Sequence, residues 1–246
     1  MNDIYISGTG IWTPPYKVSN DELVESFNKY VDLYNLEHTN EIKDGSIEPL
    51  VHSSSEFIVK ASGIKNRYVI EKEALLDPNR MKPQINARND DELSFTAEVS
   101  VIAAKEALNN AGLNPSDIDA VIVSAANLQR AYPAIAIEVQ NELGIEGFAY
   151  DMMVGCSAST FGINNAYCDI KSGKSSKVLV ISPEITSGHN NFKNRDGHFI
   201  FGDICTAVVI EKNSQSKNKF KILDTKLKTS FSNNIRNNYG YMLSLI

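Results

Sequence analysis

The sequence predicts an α/β fold in which a mixed sheet is flanked by helices, and three observations lead to it. Short apolar runs alternate along the 246 residues with segments of helical periodicity. The run IDAVIVSAA at 118–126 is almost entirely apolar, which is typical of a strand covered on both faces. Gly112 and Gly144 follow two helical segments, at the position where glycine commonly ends a helix. Helices between short strands indicate a parallel or mixed sheet.

The first elements are a strand and a capped helix. DIYISGTGIW at 3–12 predicts the strand. Ser19 and Glu22 form a capping-box pattern ahead of the helical segment LVESFNKYVDLY at 23–34. From about 35 to 89 the sequence is long, polar and interrupted by prolines. We interpret this segment as an insertion that forms a functional loop or lid.

Strands and helices alternate regularly after this insertion. ELSFTAEVSVIAAKEALNNAG at 92–112 is the strongest helix, rich in alanine and glutamate. A second helix is predicted to begin with Pro133 in its first turn. The remaining predicted elements are a strand in GFAYDMMV (147–154), a helix after Cys156, and strands in KVLVISPE (177–184) and ICTAVVIEK (204–212).

Composition and charge exclude several classes of protein. Hydrophobic residues make up 42% and charged residues 22% of the chain, as in soluble globular proteins. The net charge is −6 and the basic residues are scattered, so no nucleic-acid partner is indicated. The start MNDIYISGTG lacks the features of a signal peptide, and no apolar run approaches the roughly 20 residues that span a bilayer. We therefore expect a cytoplasmic, soluble protein with no membrane partner.

Cys156 lies at a predicted strand-to-helix junction, in the stretch DMMVGCSASTFG at 151–162. Gly155 before it and small residues after it permit a tight turn and the close approach of a substrate. A cysteine at a helix N-terminus meets unpaired N–H groups and the positive end of the helix dipole, which favours a thiolate nucleophile. The alternative is that Cys156 only packs between sheet and helix. Spacing alone leaves both interpretations open.

The other cysteines and the histidines indicate less chemistry. Cys168 has apolar neighbours inside the predicted helix and Cys205 lies in an apolar strand, so we expect both in the core. Three cysteines without a spacing pattern predict no disulfide scaffold, and no paired spacing predicts a metal site. A cysteine hydrolase needs an oriented histidine. His189 and His198 are available, but the glycines and asparagines around them predict a mobile polar loop.

Several motifs stand in the order found in one enzyme family. They are ISGTGIWTPPYKVSNDEL at the start, SSEFIVKASGIKNRYV before 70, AYPAIAIEVQNELGIEGFAYDMMVGCSASTFGINNAYCDIKSG in the middle, and then KVLVISPE and RDGHFIFGDICTAVVIE. The sequence therefore resembles the β-ketoacyl-acyl-carrier-protein synthase III family of the thiolase-like superfamily. The resemblance implies a thiolase-like layered fold. A βαβ-rich N-terminal half at 1–212 would carry the nucleophile, and 213–246 would begin a second, similar half.

The resemblance implies an acyltransferase of fatty-acid biosynthesis. Cys156 would take the acyl group from an acyl-CoA, and a carbanion from decarboxylating malonyl-acyl-carrier protein would then attack it in a Claisen condensation. The backbone N–H of Cys156 would form part of an oxyanion hole. No metal or other cofactor is implied, because the coenzyme A thioester is a substrate. A homodimer is also expected, with contact through the strand near VIVSAA.

Four further residues match positions that contact substrate in the family. Phe57 and Arg195 would sandwich the adenine of coenzyme A. Arg67 lies near a basic cluster that could meet the coenzyme A phosphates, and Tyr132 matches an aromatic that closes the acyl pocket of the partner subunit. The residues alone leave alternatives open: a buried aromatic for Phe57, a surface charge for Arg195 and a solvated side chain for Arg67. For Tyr132 the alternative is interface packing without a role in substrate choice.

Four departures from the family pattern bear on function. Ala61 stands where many members have an arginine before SGIK, which weakens the expected phosphate contact. GDICTA at 202–207 replaces a run of smaller residues, and the insertion at 35–89 predicts a differently roofed acyl channel that takes primers longer than acetyl. The sequence ends before the histidine and asparagine that drive decarboxylation in the family. We therefore expect this chain alone to be acylated on Cys156 but not to condense.

Alternatives remain open for this ending and for the function. A truncated product, a deliberately shortened one, or one subunit of a pair would each end in this way. Another thiolase-superfamily condensation or acyl transfer would show acylation by coenzyme A thioesters without dependence on a carrier protein. A non-catalytic partner subunit would associate stably with another chain and form no acyl-enzyme.

Overall fold

A computed structural model describes residues 3–232 and arranges them as strands that alternate with helices. The strands are β1 (Ile4–Trp12), β2 (Tyr16–Ser19), β3 (Asn66–Val69), β4 (Ala120–Ala125), β5 (Phe148–Met153), β6 (Lys177–Ile185), β7 (Asp203–Lys212) and β8 (Phe220–Lys221). The helices are α1 (Asn20–Glu37), α2 (Thr39–Lys43), α3 (Ser55–Ser62), α4 (Phe95–Ala111), α5 (Ile135–Leu143) and α6 (Ala158–Ser172).

Local signals in the sequence set most helix ends. Ser19 Oγ accepts a hydrogen bond from the Glu22 N–H at 3.2 Å, and Glu22 Oε2 accepts one from the Ser19 N–H at 2.9 Å. The predicted capping box of α1 is therefore confirmed. α4 and α5 end at Gly112 and Gly144, whose φ angles of 73° and 66° lie in the left-handed region that favours glycine.

The start of α5 differs from the prediction. Pro133 lies before the helix rather than in its first turn, because Ala134 is the cap and Ile135 the first helical residue. Asp151 of β5 accepts hydrogen bonds from the N–H groups of Ile135 and Ala136, each at 2.8 Å. A carboxylate from a neighbouring strand thus satisfies the first amides of α5, a contact that no local pattern reveals.

Six strands form one mixed sheet in the order β5-β4-β6-β7-β1-β8. β4 runs parallel to its two neighbours, whereas the β6–β7, β7–β1 and β1–β8 pairs are antiparallel. The predicted mixed sheet is confirmed, and β4 is buried along its whole length as its apolar sequence indicates. The predicted homodimer contact through β4 is wrong, because hydrogen bonds to β5 and β6 occupy both of its edges. β5 is the strand at that end of the sheet.

Helices cover both faces of this sheet and create two cores. Alternate residues of β4 enter different cores: Val121 and Val123 join the core of α4 and α5, while Ile122 joins the core of α6. α4 lies very close to β1 at Gly10, where an added Cβ would come within 2.0 Å of the Ala103 carbonyl oxygen. The close packing of α4 against the sheet therefore requires glycine at this position.

The segment 35–89 is not a continuous loop, which corrects the prediction. It contains α2, α3 and β3, and β3 pairs with β2 in a separate two-stranded sheet. Apolar residues of this region, of α1 and of the loop 191–201 form a third core. Its buried members are Val18, Leu23, Phe27, Val31, Ile58, Val69, Leu75, Met81, Phe192 and Phe199.

The last described element is β8, which pairs with β1 at the end of the main sheet. The proposed boundary between 1–212 and 213–246 stays a prediction, and residues 233–246 lie outside the described part of the chain. Within residues 3–232, no helix combines the length and the apolar character needed to cross a membrane.

Candidate active site

Cys156 lies in a single 3-10 turn, Gly155–Ser157, between the end of β5 at Met153 and the start of α6 at Ala158. Gly155 has a φ of 58°, in the left-handed region where a residue with a Cβ is strained. The Cys156 side chain is exposed. The strand–turn–helix junction predicted from the sequence is confirmed, and the described residues do not bury the thiol.

The N-terminus of α6 follows directly after this turn and brings backbone donors to it. The cap residue Ser157 makes no hydrogen bond to the first amides, and its Oγ donates to the Val154 carbonyl at 3.2 Å. Ser124 of β4 donates through Oγ to the Ala158 carbonyl, which fixes the start of α6 on the sheet. Amides without a side-chain cap and the positive end of the helix dipole would stabilise negative charge on an oxygen beside Cys156.

Three parallel strands end at the same edge of the sheet near Cys156. Ala125, the last residue of β4, is paired with Met153, the last residue of β5. β6 runs parallel to β4 on its other side and ends at Ile185. In open α/β sheets, ligands bind outside the carboxyl ends of the strands. The turn with Cys156 and the loops after β4 and β6 therefore surround the expected binding region.

Two cavities lie at this edge, and Leu128 lines both of them. The first has a volume of about 320 Å³ and is bounded by residues 85–88 and by residues after β4 and β6. Its apolar lining includes Ile85, Phe95 and Ile185. The second has a volume of about 420 Å³ and reaches the end of β5 at Met153. Leu128 consequently lies between the cavity at the end of β5 and the cavity bounded by residues 85–88.

Two carboxylates hold the loops of this edge in place, the half-buried Glu184 and the buried Asp203, and no sequence pattern indicates either role. Glu184 accepts a hydrogen bond from the Ala126 N–H at 2.7 Å. Asp203 accepts from the Ser187 N–H and hydroxyl, both at 2.7 Å, and from the Ile70 N–H at 2.9 Å. Burial raises the pKa of both carboxyls above the usual range, although these hydrogen bonds act in the opposite direction.

Phe57 and Arg195 are brought together, as the resemblance implied. The Arg195 Cζ lies 4.1 Å from the Phe57 ring centroid, and the Arg195 Nε donates to the His52 carbonyl at 2.8 Å. The guanidinium thus stacks directly on the ring. A purine between the two groups would need a separation of roughly 7–8 Å, which is two van der Waals contacts. Arg195 must therefore move away from Phe57 before a base can enter.

Arg67 is not a solvated side chain. It is 4% exposed, and its guanidinium donates to the carbonyls of Val18 and Ser19 at 3.3 and 3.2 Å and to Asn20 Oδ1 at 2.6 Å. Burial lowers its pKa to about 10. These bonds tie β3 to the junction of β2 and α1. The described contacts of Arg67 are therefore structural, and none of them supports the predicted phosphate contact.

Tyr132 is 85% exposed and lies in the loop between β4 and α5. A cis peptide bond joins it to Pro133. Met153, at the end of β5, is also strongly exposed, at 64%. Two large side chains are thus uncovered on the side of the sheet where β5 is the edge strand. This position is compatible with the predicted contact between subunits.

Two predictions about other residues are wrong. Cys168 is exposed, because the buried side of α6 is formed by positions such as Ala166 and Ile170. His198 is fully buried rather than part of a polar loop surface. Cys205 lies in the core as predicted, and burial raises the pKa of its thiol to about 12.

The predicted site residues do not all converge on one point. Phe57 and Arg195 touch, while Cys156 and Tyr132 follow the neighbouring parallel strands β5 and β4. Arg67 is held inside the protein. Among residues 3–232, no group of three or more histidine, cysteine, aspartate or glutamate side chains could hold a metal ion.

Comparison with known proteins shows which enzymes this chain is similar to. Residues 150–230, which include the Cys156 junction, match the family model described as 3-oxoacyl-[acyl-carrier-protein (ACP)] synthase III. The chain is 54% identical over 221 residues to β-ketodecanoyl-[acyl-carrier-protein] synthase of Pseudomonas aeruginosa. The aligned residues cover 89% of this chain and 63% of that protein. Over the segments compared, the chain is similar to 3-oxoacyl-[acyl-carrier-protein] synthase III enzymes.

Two further proteins with this name are similar to the chain. β-Ketoacyl-[acyl-carrier-protein] synthase III of Agrobacterium fabrum is 35% identical over 169 residues, which is 68% of this chain and 46% of that protein. The crystal structure of 3-oxoacyl-[acyl-carrier-protein] synthase III from Aquifex aeolicus has a TM-score of 0.62 at 27% identity, covering 87% of this chain and 55% of that one. The predicted thiolase-like fold is confirmed. The chain spans between 46% and 63% of the lengths of these relatives.

Proposed function

We propose that Cys156 is the acyl-accepting nucleophile of a condensing enzyme of fatty-acid biosynthesis, of the β-ketoacyl-acyl-carrier-protein synthase III type. The observation that carries the proposal is an exposed cysteine in a glycine-led turn at the N-terminus of α6. The turn lies within the segment that matches the family model. In this function an acyl-CoA loads Cys156, and malonyl-acyl-carrier protein then condenses with the acyl group.

The loading step is a thioester exchange. The Cys156 sulfur attacks the thioester carbonyl of the acyl-CoA, and the carbonyl electron pair moves onto oxygen. Backbone N–H groups at the start of α6 would hold that oxyanion. When the carbonyl re-forms, the bond to the coenzyme A sulfur breaks. Coenzyme A leaves with the proton that the cysteine gave up, so the step needs neither metal nor redox cofactor.

A medium-chain primer is the substrate that best fits this site. The relative from Pseudomonas aeruginosa is named for a β-ketodecanoyl product. Condensation with a malonyl group adds two carbons, so a ten-carbon product derives from an eight-carbon primer. Adjacent strands lie about 4.8 Å apart, which places the end of β6 roughly 10 Å from that of β5. An eight-carbon chain on Cys156 could therefore reach Leu128 and the cavity bounded by residues 85–88.

The remaining parts of the proposal concern the coenzyme and the partner chain. Phe57 and Arg195 would hold the adenine after the guanidinium has moved off the ring. A homodimer would form at the free edge of β5, where Tyr132 is exposed and could reach the acyl pocket of the other subunit. The proposed enzyme is cytoplasmic and uses no cofactor besides its coenzyme A thioester substrate.

Intact-mass measurement after incubation with octanoyl-CoA and acetyl-CoA tests the loading step. We expect the mass of one acyl group, mapped to the peptide with Cys156 and absent from Cys156→Ser. Cys168→Ser is the matched control, because Cys168 is also exposed and should not affect acylation. No mass gain, or equal labelling of Cys168, would contradict the assignment.

A further inference from the structure

A buried histidine lies against the backbone of Arg195. His198 is 0% exposed, and its Nδ1 lies 2.7 Å from the Arg195 carbonyl oxygen. A carbonyl oxygen can only accept, so Nδ1 carries the proton and donates it. Nε2 of the same ring is buried and has no hydrogen-bond partner among the described residues. Among the described residues, the bond to the Arg195 carbonyl is thus the side-chain hydrogen bond of His198 with a defined length.

The His198 ring also completes a closed set of contacts around the proposed adenine site. It stacks on Phe27 with centroids 4.6 Å apart and meets Phe199 edge-on at 5.3 Å. Phe199 meets Phe57 edge-on at 5.7 Å, and the Arg195 guanidinium lies over Phe57 at 4.1 Å. His198 thus contacts Arg195 through the backbone and Phe57 through Phe199.

An apolar ring would suit the position of His198 better if packing were its only role. A buried ring nitrogen without a partner costs stability compared with an apolar ring of the same shape. Burial lowers the pKa of His198 to about 4, and the nearby charge of Arg67 also opposes protonation. At neutral pH the ring is therefore neutral, with one donor bound to Arg195 and one unused acceptor. The bond to the Arg195 carbonyl sets histidine apart from phenylalanine here.

We infer that His198 is a positioning residue for binding the nucleotide of coenzyme A. Its hydrogen bond fixes the Arg195 backbone, and its ring supports Phe199 and through it Phe57. The Arg195 backbone and the Phe57 ring are then held in place, so that only the Arg195 guanidinium has to move for a base to enter. The inference rests on the proposed function, in which Phe57 and Arg195 bind adenine. His198 should affect thioesters that carry the nucleotide and leave others unchanged.

Three variants separate the hydrogen bond from the ring. His198→Phe keeps the aromatic contacts and lacks the donor. His198→Asn loses the ring, but its side-chain amide can donate from near the position of Nδ1. Should His198→Phe fail to fold in a urea titration, His198→Leu replaces it as the variant without a donor and is matched in size to asparagine.

The assay compares the rates at which Cys156 is acylated by octanoyl-CoA and by octanoyl-pantetheine, which lacks the nucleotide. In His198→Phe or His198→Leu, we expect acylation by octanoyl-CoA at low concentration to slow by roughly 3- to 10-fold, which is the effect of losing one hydrogen bond. Acylation by octanoyl-pantetheine should not change. His198→Asn should recover most of the rate with octanoyl-CoA, and Phe57→Ala should reproduce the selective loss.

The other outcomes distinguish a failure of this inference from a failure of the proposed function. A wild-type chain that neither thioester acylates would refute the proposed function and the inference with it. Wild-type acylation at equal rates by both thioesters would refute nucleotide recognition while keeping Cys156 as the nucleophile. An equal loss with both thioesters, or no loss in the variants without a donor, would overturn the role of His198 alone.

Discussion

Replacing Gly155 by alanine tests whether the backbone at the Cys156 turn requires glycine. At a φ of 58°, a residue with a Cβ costs about 1–2 kcal/mol. An added Cβ would meet no atom within 4 Å, so no clash contributes to the effect. Alanine also restricts the unfolded chain, which offsets about 0.4–1 kcal/mol. We expect a net loss of about 1 kcal/mol in the free energy of unfolding.

Gly197→Ala is the matched control for stability. Its added Cβ also meets no atom within 4 Å, and its φ lies outside the left-handed region. Only the effect on the unfolded chain remains, so we expect this variant to gain up to about 1 kcal/mol. Urea titrations of both variants measure the difference, and acylation by octanoyl-pantetheine should slow in Gly155→Ala because the thiol shifts. Equal stability changes in the two variants would refute the requirement for a left-handed residue before Cys156.

Two further predictions concern the cavities and the buried histidine. Leu128→Ala should join the cavities of about 320 and 420 Å³ and shift acylation of Cys156 toward longer acyl-CoA thioesters. Leu33→Ala, on the exposed side of α1, is the control and should leave the preferred chain length unchanged. An unchanged chain-length profile in Leu128→Ala would contradict the prediction. The pKa of His198 is about 4 in the folded chain and about 6.5 when unfolded, so its stabilising effect is present above pH 6.5 and is lost as the pH falls through 4. Between pH 7 and pH 4, urea titrations should show that His198 lowers the free energy of unfolding by about 3 kcal/mol. His198→Phe should not show this part of the loss. Parallel pH profiles of the wild-type chain and His198→Phe would contradict the prediction.

The parts of the fold that sequence predicts well depend on neighbours along the chain. Ser19 and Glu22 stand three positions apart and form the capping box as expected. The apolar run of β4 marks a strand because both of its faces are covered. Gly155 and Cys156 form the expected turn because a glycine after a strand permits the left-handed backbone that the turn requires.

The parts that sequence misses depend on contacts between distant positions. Asp203 and Ile70 are 133 positions apart, and their hydrogen bond has no sequence pattern. The glycine and asparagine neighbours of His198 predict a surface position. The His198 ring is nevertheless buried, because it stacks on Phe27 of α1, a member of the third core. The apolar neighbours of Cys168 in sequence predict a core position. The buried side of a helix instead follows a spacing of three and four residues, which leaves Cys168 on the exposed side of α6.

The third core described above bears on how the proposed enzyme can change. Phe199 lies in that core and Phe57 packs against it, whereas the turn with Cys156 follows β5, whose residues pack against the other two cores. In the proposed function, recognition of coenzyme A and reactivity of the Cys156 thiol would therefore be supported by separate sets of packed side chains. Mutations that loosen or remodel the region around Phe57 can alter which thioester is accepted while the nucleophile stays intact. In that function, substitutions around Phe57 could change the accepted thioester donor without altering the backbone of the Cys156 turn.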